Sequence, residues 1–488
     1  MEPGFATFRD PGGSVFSVGG RIFRATTRAG AETLRAALNT PAVQRMLEIG
    51  RLVRTSAVAA EAVESVLGST AAGRLSAEYT EIFEHERIPF PSYPYEWPPE
   101  MLHAAAGLTI DVARELLPCG FGLKDATPYN VLFRGPEPVF VDVLSFEPRD
   151  PKDPIWLPYG QFVRTFLLPL ALSERVALPL DQVFLARRDG LEPEEAYKWL
   201  PKALRIRRPF LSLVSIPVWL SRRHKPDDAR VYGPHAMSDP KKARFVLERL
   251  LARLRRTVDR LEPSAHKVST WSGYAEANPY STEGAAAKVA FVEQALGEFR
   301  PRWVLDVGAN TGRFSELASA HGASVVAIDR DPVAVGTLWR RARARGADIL
   351  PLVVDITRPS PSTGWRNREC ASFLERCRGA FDAVLMLALA HHLVVTERIP
   401  LAEVVDLAAE LATDVVIIEF VGKGDPMFQR LVPSGWFAGA GGSTRTSPRL
   451  RSRRACAGVS KSCAASRSKA SSAPCICSGD GPVEGCRR

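Results

Sequence analysis

Hydrophobic residues change their spacing along the chain and divide it into regions of different predicted structure. Residues 14–26, SVFSVGGRIFRAT, are typical of two short strands around a Gly-Gly turn. Apolar residues at helical spacing follow in four places: 31–66, 101–117, 158–175 and 191–206. This order of strands and helices predicts an α+β domain over 1–215.

A polar segment with many helix breakers, SRRHKPDDARVYGPHAMSDP, occupies 221–240 and predicts a linker. The helix predicted next, KKARFVLERLLARLRRTVDRLE at 241–262, is basic and amphipathic. Because acidic residues are interspersed in it, its Leu and Val stripe favours a packing face over a nucleic-acid or membrane surface. We assign 216–275 to this linker and helix.

From about residue 284 the pattern alternates between helices and apolar strands. An Ala-rich helix, EGAAAKVAFVEQALGEF, precedes five strand candidates: WVLDVG, SVVAID, ILPLVVDI, FDAVLMLAL and DVVIIEF. Strands separated by helices predict a Rossmann-like parallel sheet with helices on both faces, an α/β domain over 276–436.

The first of these strands ends in VLDVGANTGRFSE, which has the pattern of a nucleotide-binding turn. Gly308 and Gly312 allow the backbone to approach a ligand closely, and Asn310 tolerates a left-handed conformation. Asp306 precedes the turn, and a helix is predicted directly after it at Arg313–Ala320. The second strand ends at Asp329, whose carboxylate can accept hydrogen bonds from both hydroxyls of a ribose.

The motifs DVGANTG, VVAIDRD, VVDIT and FDAVLMLALAHHL together resemble class I S-adenosylmethionine-dependent methyltransferases over 303–420. The resemblance implies S-adenosyl-L-methionine as the cofactor, with Asp306 near its methionine part, Asp329 on its ribose and Asp355 on its adenine. It also implies cofactor contacts from Gly308, Asn310, Gly312 and Leu387. A dinucleotide-dependent dehydrogenase is the main competitor, but it requires a GxGxxG spacing that DVGANTG lacks.

His391 and His392 follow the fourth strand and are the catalytic candidates, because a neutral imidazole can take a proton from an attacking oxygen or nitrogen. The alternative is that one of them caps or packs against the strand end. Four further residues are candidates for the mouth of the site: Trp365, Arg366, Asn367 and Glu419.

A second motif, LKDATPYNVLFRGPEPVFVD, has the Asp-x4-Asn spacing of Asp125 and Asn130, with Asp142 after the next apolar run. It resembles the catalytic and metal-binding loops of kinase-like folds, although Lys124 replaces the usual His-Arg and no strand lysine can be identified. Phosphotransferase activity is thus one interpretation of this domain. A structural or substrate-recruiting domain, whose Asp and Asn cap turns, is the other.

With YPYEW, GWRNRE and EFVGKGDPMFQRL, the combination also resembles a two-part group of bacterial methyltransferases, some linked to host nodulation, over about 10–430. Sheets of that family continue with two more strands after the fifth. No residue after Arg430 is expected to supply them.

The chain carries a formal charge of +10, but its distribution weakens a nucleic-acid interpretation. Residues 437–488 hold ten Lys/Arg and two Asp/Glu, so nearly all of the excess lies there, together with five of the eight cysteines and no aromatic residue after Phe437. We predict a disordered basic tail, or the product of a reading-frame shift near Trp436. No cysteine spacing indicates a zinc site.

No apolar run reaches the roughly 18 residues of a spanning helix, and the start lacks the pattern of a secretory signal. A cytoplasmic protein without a membrane partner is therefore expected. We predict a methyltransferase acting on an O or N nucleophile of a small-molecule or carbohydrate-like acceptor. The alternative is an impaired binding or scaffold protein.

Overall fold

A computed structural model describes residues 4–5, 10–59, 79–222, 236–267, 269, 282–387, 389–420 and 462–464. The chain divides into two compact units. The first is Met1–Ala265 with Ser362–Cys370, and the second is His266–Pro361 with Ala371–Arg488. The boundaries at 215, 275 and 436 that the sequence suggests stay predictions. Within the described ranges no helix is long and apolar enough to cross a bilayer.

An antiparallel sheet in the order β1-β2-β3-β5-β4 opens the first unit. Its strands are β1 Gly4–Phe5, β2 Gly13–Val18, β3 Arg21–Thr26, β4 Thr55–Ala57 and β5 Glu81–His85. Gly19 and Gly20, in the turn between β2 and β3, have φ of 58° and 78°, which glycine adopts without steric cost. Phe16 and Phe23 stack across this hairpin with ring centroids 5.7 Å apart. The predicted strands around the Gly-Gly turn are confirmed.

The rest of the first unit is mainly helical. Its helices are α1 Arg28–Leu38, α2 Pro41–Glu48, α3 Pro99–Leu116, α4 Tyr159–Phe162, α5 Leu168–Val176, α6 Leu180–Phe184, α7 Pro193–Trp199, α8 Lys202–Arg205, α9 Ile216–Ser221 and α10 Pro240–Asp259. The helix prediction over 31–66 is wrong at Thr55–Ala57, which pairs with β5 as an edge strand. The spacing of apolar residues within one segment does not indicate that the segment pairs with a distant strand. Residues 60–78 lie outside the described chain.

Two short antiparallel strand pairs follow α3 and carry the kinase-like motif. β6 Phe121–Leu123 pairs with β9 Phe146–Pro148, and β7 Val131–Arg134 pairs with β8 Glu137–Phe140. Asp125, Asn130 and Asp142 stand at the ends of these strands.

Helix α10 packs its apolar stripe against α3. The buried positions of the stripe are Ala243, Leu247, Leu251, Leu254 and Val258. Their spacing of three and four residues places them on one helical face. The predicted packing face of this basic helix is confirmed.

The second unit contains a sheet in the order β12-β11-β10-β13-β14-β15. Its strands are β10 Trp303–Val307, β11 Ser324–Asp329, β12 Ile349–Val353, β13 Phe381–Met386, β14 Ala412–Phe420 and β15 Ser462–Ala464. The first five are parallel, as predicted. Consecutive residues within each of β10 to β13 are buried, as expected for a Rossmann-like sheet covered on both faces.

Helices connect the parallel strands of the second unit. They are α11 Thr282–Phe299, α12 Arg313–Ala320, α13 Pro332–Arg345, α14 Phe373–Cys377 and α15 Leu401–Leu411. α12 begins at the residue predicted from the turn motif. Asp331 caps α13 by accepting a hydrogen bond from the Val333 backbone N–H at 2.9 Å.

The last strand corrects one expectation about the tail. Residues Ser462–Ala464 pair antiparallel with β14, so a strand does follow Arg430. Backbone groups alone make such a ladder, and it therefore needs no apolar pattern in the sequence. The other residues of 437–488 lie outside the described chain, and both interpretations of that segment stay predictions.

Candidate cofactor site

A cavity of about 280 Å³ lies at the carboxyl ends of the central strands of the second unit. This is where open parallel sheets bind ligands. Most residues predicted to bind the cofactor line it: Asp306, Gly308, Asn310, Asp329, Asp355 and Leu387. The structure therefore brings together side chains from four different strands or strand ends. Gly312 is not part of the lining.

The turn after β10 adopts left-handed backbone at three positions. Gly308, Asn310 and Gly312 have φ of 78°, 51° and 88°. A Cβ on Gly312 would lie 2.1 Å from Cδ1 of Leu338 on α13, a separation that atoms cannot adopt. Glycine at 312 is therefore required by packing between the turn and α13, in addition to its backbone conformation.

Asp329 ends β11 and faces this turn. Its Oδ2 accepts a hydrogen bond from the Asn310 backbone N–H at 2.9 Å, and its Oδ1 accepts one from the Asp331 N–H at 2.9 Å. Burial raises its pKa, while these two backbone donors oppose the shift. The two hydrogen bonds fix the carboxylate beside the glycine-containing turn.

Asp306 is the most deeply buried acid of the cavity, at 2% exposure. Its Oδ2 accepts a hydrogen bond from the Ser315 hydroxyl at 2.6 Å. Burial raises its pKa to about 6, and nearby Lys288 opposes this by favouring the charged form. The side chain therefore changes between its neutral and charged forms at a pH of about 6.

Lys288 is a lining residue that sequence reasoning missed. It stands on α11, and its Nζ contacts Oε2 of Glu419 at 2.6 Å, with both side chains less than a fifth exposed. The same Nζ lies 5.1 Å from the centroid of the Phe314 ring. The available signal was a single lysine within the apolar run AAAKVAFV. Glu419, predicted at the mouth of the site, contacts the cavity through this lysine.

Asp355 lies just beyond the end of β12. Its Oδ1 accepts hydrogen bonds from the Thr357 backbone N–H at 2.9 Å and from the Thr357 hydroxyl at 2.7 Å. Leu387, just after β13, is 5% exposed and lines the same cavity. The site thus presents a carboxylate and an apolar side chain from neighbouring strands.

The two histidines differ in their positions. His392 lines the cavity, and burial followed by the charge of Arg330 lowers its pKa, so its imidazole is neutral at pH 7. His391 is 8% exposed and is not in the lining, with its ring centroid 4.2 Å from that of His392. Of the two candidates, His392 is therefore the one whose ring meets the cavity.

Three proposed mouth residues do not line this cavity: Trp365, Arg366 and Asn367. Their segment, Ser362–Cys370, groups with the first unit. There Glu369 forms an ion pair with Arg188 at 2.9 Å.

The kinase-like residues of the first unit also come together. Asn130 donates from Nδ2 to the Asp125 carbonyl oxygen at 3.4 Å, and Gln161 donates from Nε2 to Oδ1 of Asp125 at 3.4 Å. Burial is the main cause that raises the pKa of Asp125, and the charge of Asp142 adds to it. The two acids therefore lie close enough to repel each other.

Asp142 is paired with a cation that sequence reasoning also missed. Arg24 on β3 approaches Oδ1 of Asp142 at 3.1 Å, and its Nε donates to Nε2 of His85 at 3.0 Å. Burial lowers the pKa of His85 to about 3, so its imidazole is neutral and can accept this bond. In the described ranges no group of three or more His, Cys, Asp or Glu is arranged to hold a metal ion.

Comparisons with known proteins place these features in context. No family model matches the chain. The nodulation protein NoeA of Rhizobium meliloti strain 1021 is 33% identical over 429 residues, which cover 87% of this chain and 86% of NoeA.

Solved structures show more distant similarity. The bifunctional kinase-methyltransferase WbdD is 20% identical over 35% of this chain and 35% of its own, with a TM-score of 0.24. The N-methyltransferase NodS from Bradyrhizobium japonicum WM9 is 14% identical over 31% of this chain and 82% of its own, with a TM-score of 0.23.

Proposed function

This chain belongs to the family of the nodulation protein NoeA, and we propose that its second unit is an S-adenosylmethionine-dependent methyltransferase. The acceptor we propose is an O or N nucleophile of a small molecule or carbohydrate-like compound. The observation that carries the proposal is the meeting of Asp329 with the Gly308 turn on one cavity.

The adenosine end of the cofactor would lie between the second and third strands. Asp329 is held by two backbone donors that leave further lone pairs of its carboxylate for ribose hydroxyls. Asp355 and Leu387 would flank the adenine with a polar and an apolar contact. These groups suit a nucleoside and support the choice of cofactor.

The methionine end has both charges that an amino acid requires. Asp306 offers a carboxylate for the ammonium group, and Lys288 offers an ammonium for the carboxylate. The cation of the ligand would favour the ionised form of Asp306 and lower its raised pKa. Binding would then release the proton that burial favours.

S-adenosylmethionine, when bound, would supply a methyl group on a positively charged sulfur, and this sulfur would leave as a neutral thioether when a lone pair attacks the methyl carbon. The chain must then hold the nucleophile in line and exclude water. His392 can accept the proton of the nucleophile at its ring nitrogen, because burial keeps the imidazole neutral. His391 would support the neighbouring ring by direct contact, with the two ring planes tilted by 40°.

Isothermal titration calorimetry with S-adenosylmethionine tests the proposal. Asp329→Asn removes one of the two carboxylate acceptors and should weaken binding by about ten-fold or more. Asp348→Asn is the matched control, because Asp348 is exposed and stands just before the amino end of β12. No binding by the unmodified chain at hundreds of micromolar would instead favour an impaired scaffold protein.

A second candidate is phosphoryl transfer by the first unit. It is favoured by the convergence of Asp125, Asn130 and Asp142 around one turn. Against it, Arg24 already neutralises Asp142 through the ion pair at 3.1 Å. Equilibrium dialysis with ATP and Mg²⁺ tests this candidate, since Asp142→Asn should abolish any binding that depends on a cation held there.

A further inference from the structure

Exposed apolar side chains concentrate in one part of the first unit. Sixteen large hydrophobic residues are exposed among those described, and six of them fall between residues 199 and 220. They are Trp199, Ile206, Leu211, Ile216, Trp219 and Leu220, with exposures from 37% to 72%. Exposed apolar side chains clustered in one segment are a feature of interaction surfaces.

The same segment is strongly basic. Residues 196–222 contain six Lys/Arg and no Asp/Glu, while the chain before residue 437 is almost neutral. The cations are Lys198, Lys202, Arg205, Arg207, Arg208 and Arg222. All except Arg205 are exposed. Glu194 is at the border of this surface, where it accepts a hydrogen bond from the Ser221 hydroxyl at 3.0 Å.

Packing unites these residues into one surface. α9 packs against α7, and the turn Leu211–Ser215 that precedes α9 packs against α7 and α8. Arg205 from α8 and Arg222 after α9 both lie over the ring of Tyr197, at 4.0 and 5.6 Å from its centroid. The contacts place cations from α8 and from the end of the segment around one aromatic side chain. We call residues 197–222 the basic apolar surface.

We propose that the basic apolar surface binds the headgroup region of an anionic phospholipid bilayer. Its cations match the charge of such a membrane, and tryptophan with branched aliphatic side chains is suited to the boundary between headgroups and acyl chains. The proposal departs from the expectation of no membrane partner, which rested on the absence of a spanning run and on the packing face of α10. A surface contact through residues 197–222 requires neither a spanning run nor α10.

Charge argues against two other occupants. A second copy of the chain would bring the same cations together across a twofold axis, where they would repel. A nucleic-acid backbone would match the charge but would leave the exposed Trp and Ile side chains without an apolar partner. An anionic bilayer surface matches the cations and also provides an apolar environment for the exposed Trp and Ile side chains.

Vesicle sedimentation with the full chain tests the proposal. The chain should bind vesicles of equal phosphatidylcholine and phosphatidylglycerol, and should bind pure phosphatidylcholine much more weakly. Because each cation near an anionic surface contributes roughly five-fold, Lys202→Glu with Arg207→Glu should reduce partitioning by about 25-fold or more. Ile206→Ser should reduce it by about ten-fold without a charge change.

The control reverses two exposed arginines elsewhere in the first unit, Arg54→Glu with Arg87→Glu. It has the same net charge as the double variant and should retain most of the vesicle binding. Equal losses in both double variants would refute a specific surface. So would concentration-dependent dimerisation or DNA binding that the surface variants abolish, in the absence of vesicle binding by the unmodified chain.

Discussion

Replacing Asp306 by Asn should stabilise the second unit at neutral pH while weakening cofactor binding. The pKa of Asp306 in the folded chain is about 6, against an ordinary value of 3.8. A carboxyl whose pKa is raised by folding stabilises the fold fully below its unfolded value. That contribution is lost as the pH rises through the folded value, because ionisation then opposes burial.

The size of the effect follows from the shift of about two units. At 1.36 kcal/mol per unit, ionised Asp306 costs the fold about 3 kcal/mol at pH 8 relative to its protonated form. About 2 kcal/mol of this should appear between pH 4.5 and pH 8. An asparagine does not titrate, so the stability difference between the two proteins should change by that amount. An unsatisfied amide in the variant would add a cost that does not depend on pH.

Urea unfolding read by pulsed amide exchange in β10 and β13 measures this difference, because these strands report on the second unit alone. Asp348→Asn, which changes an exposed carboxylate outside the cavity lining, is the matched control. If the stabilities of Asp306→Asn and the unmodified chain stay parallel from pH 4.5 to pH 8, Asp306 is not protonated by burial and the reasoning is wrong.

Three more predictions test the site. Gly312→Ala should destabilise the second unit by about 3 kcal/mol in urea unfolding, because residue 312 has a positive φ and its Cβ would clash with Leu338. Adding Leu338→Ala in a double variant should recover part of this stability. His392→Gln should lower kcat by about 100-fold or more. In the unmodified chain the rate should fall at acidic pH, where His392 becomes protonated, and the variant should lack this fall; an unchanged pH profile would exclude His392 as the base. Lys288→Met removes the ion pair with the mostly buried Glu419, so urea unfolding should show a loss of about 3 kcal/mol and calorimetry weaker S-adenosylmethionine binding. The double variant Lys288→Met with Glu419→Gln should restore stability but not binding.

The parallel sheet could be predicted because each strand carries its own signal. Apolar runs separated by helical spans give five strands, and the residue that begins α12 follows from the Gly308 turn. The end of β11 at Asp329 was likewise visible from the sequence alone. Local pattern therefore identifies acids that a parallel sheet must bring to one edge.

Charged residues whose partners lie far along the chain could not be assigned to those partners in this way. Lys288 is separated by 131 residues from Glu419, and its place in an apolar run does not identify that partner. Arg24 is similarly separated by 118 positions from Asp142, although its partner His85 lies on the neighbouring strand β5. These side chains are placed by contacts between segments that are far apart in the chain, and a single sequence does not show which segments come into contact.

The segment Ser362–Cys370 shows the same limit most clearly. Its position between β12 and β13 in the sequence suggested that Trp365 would stand at the mouth of the cavity. Instead Glu369, whose side chain is 6% exposed, pairs with Arg188, and the guanidinium of Arg188 lies 4.6 Å from the centroid of the Tyr129 ring. A buried carboxylate requires such a partner, since leaving it unpaired costs several kcal/mol. The Arg188 interaction therefore holds the segment in the first unit, next to the turn that carries Asn130, despite its place in the sequence.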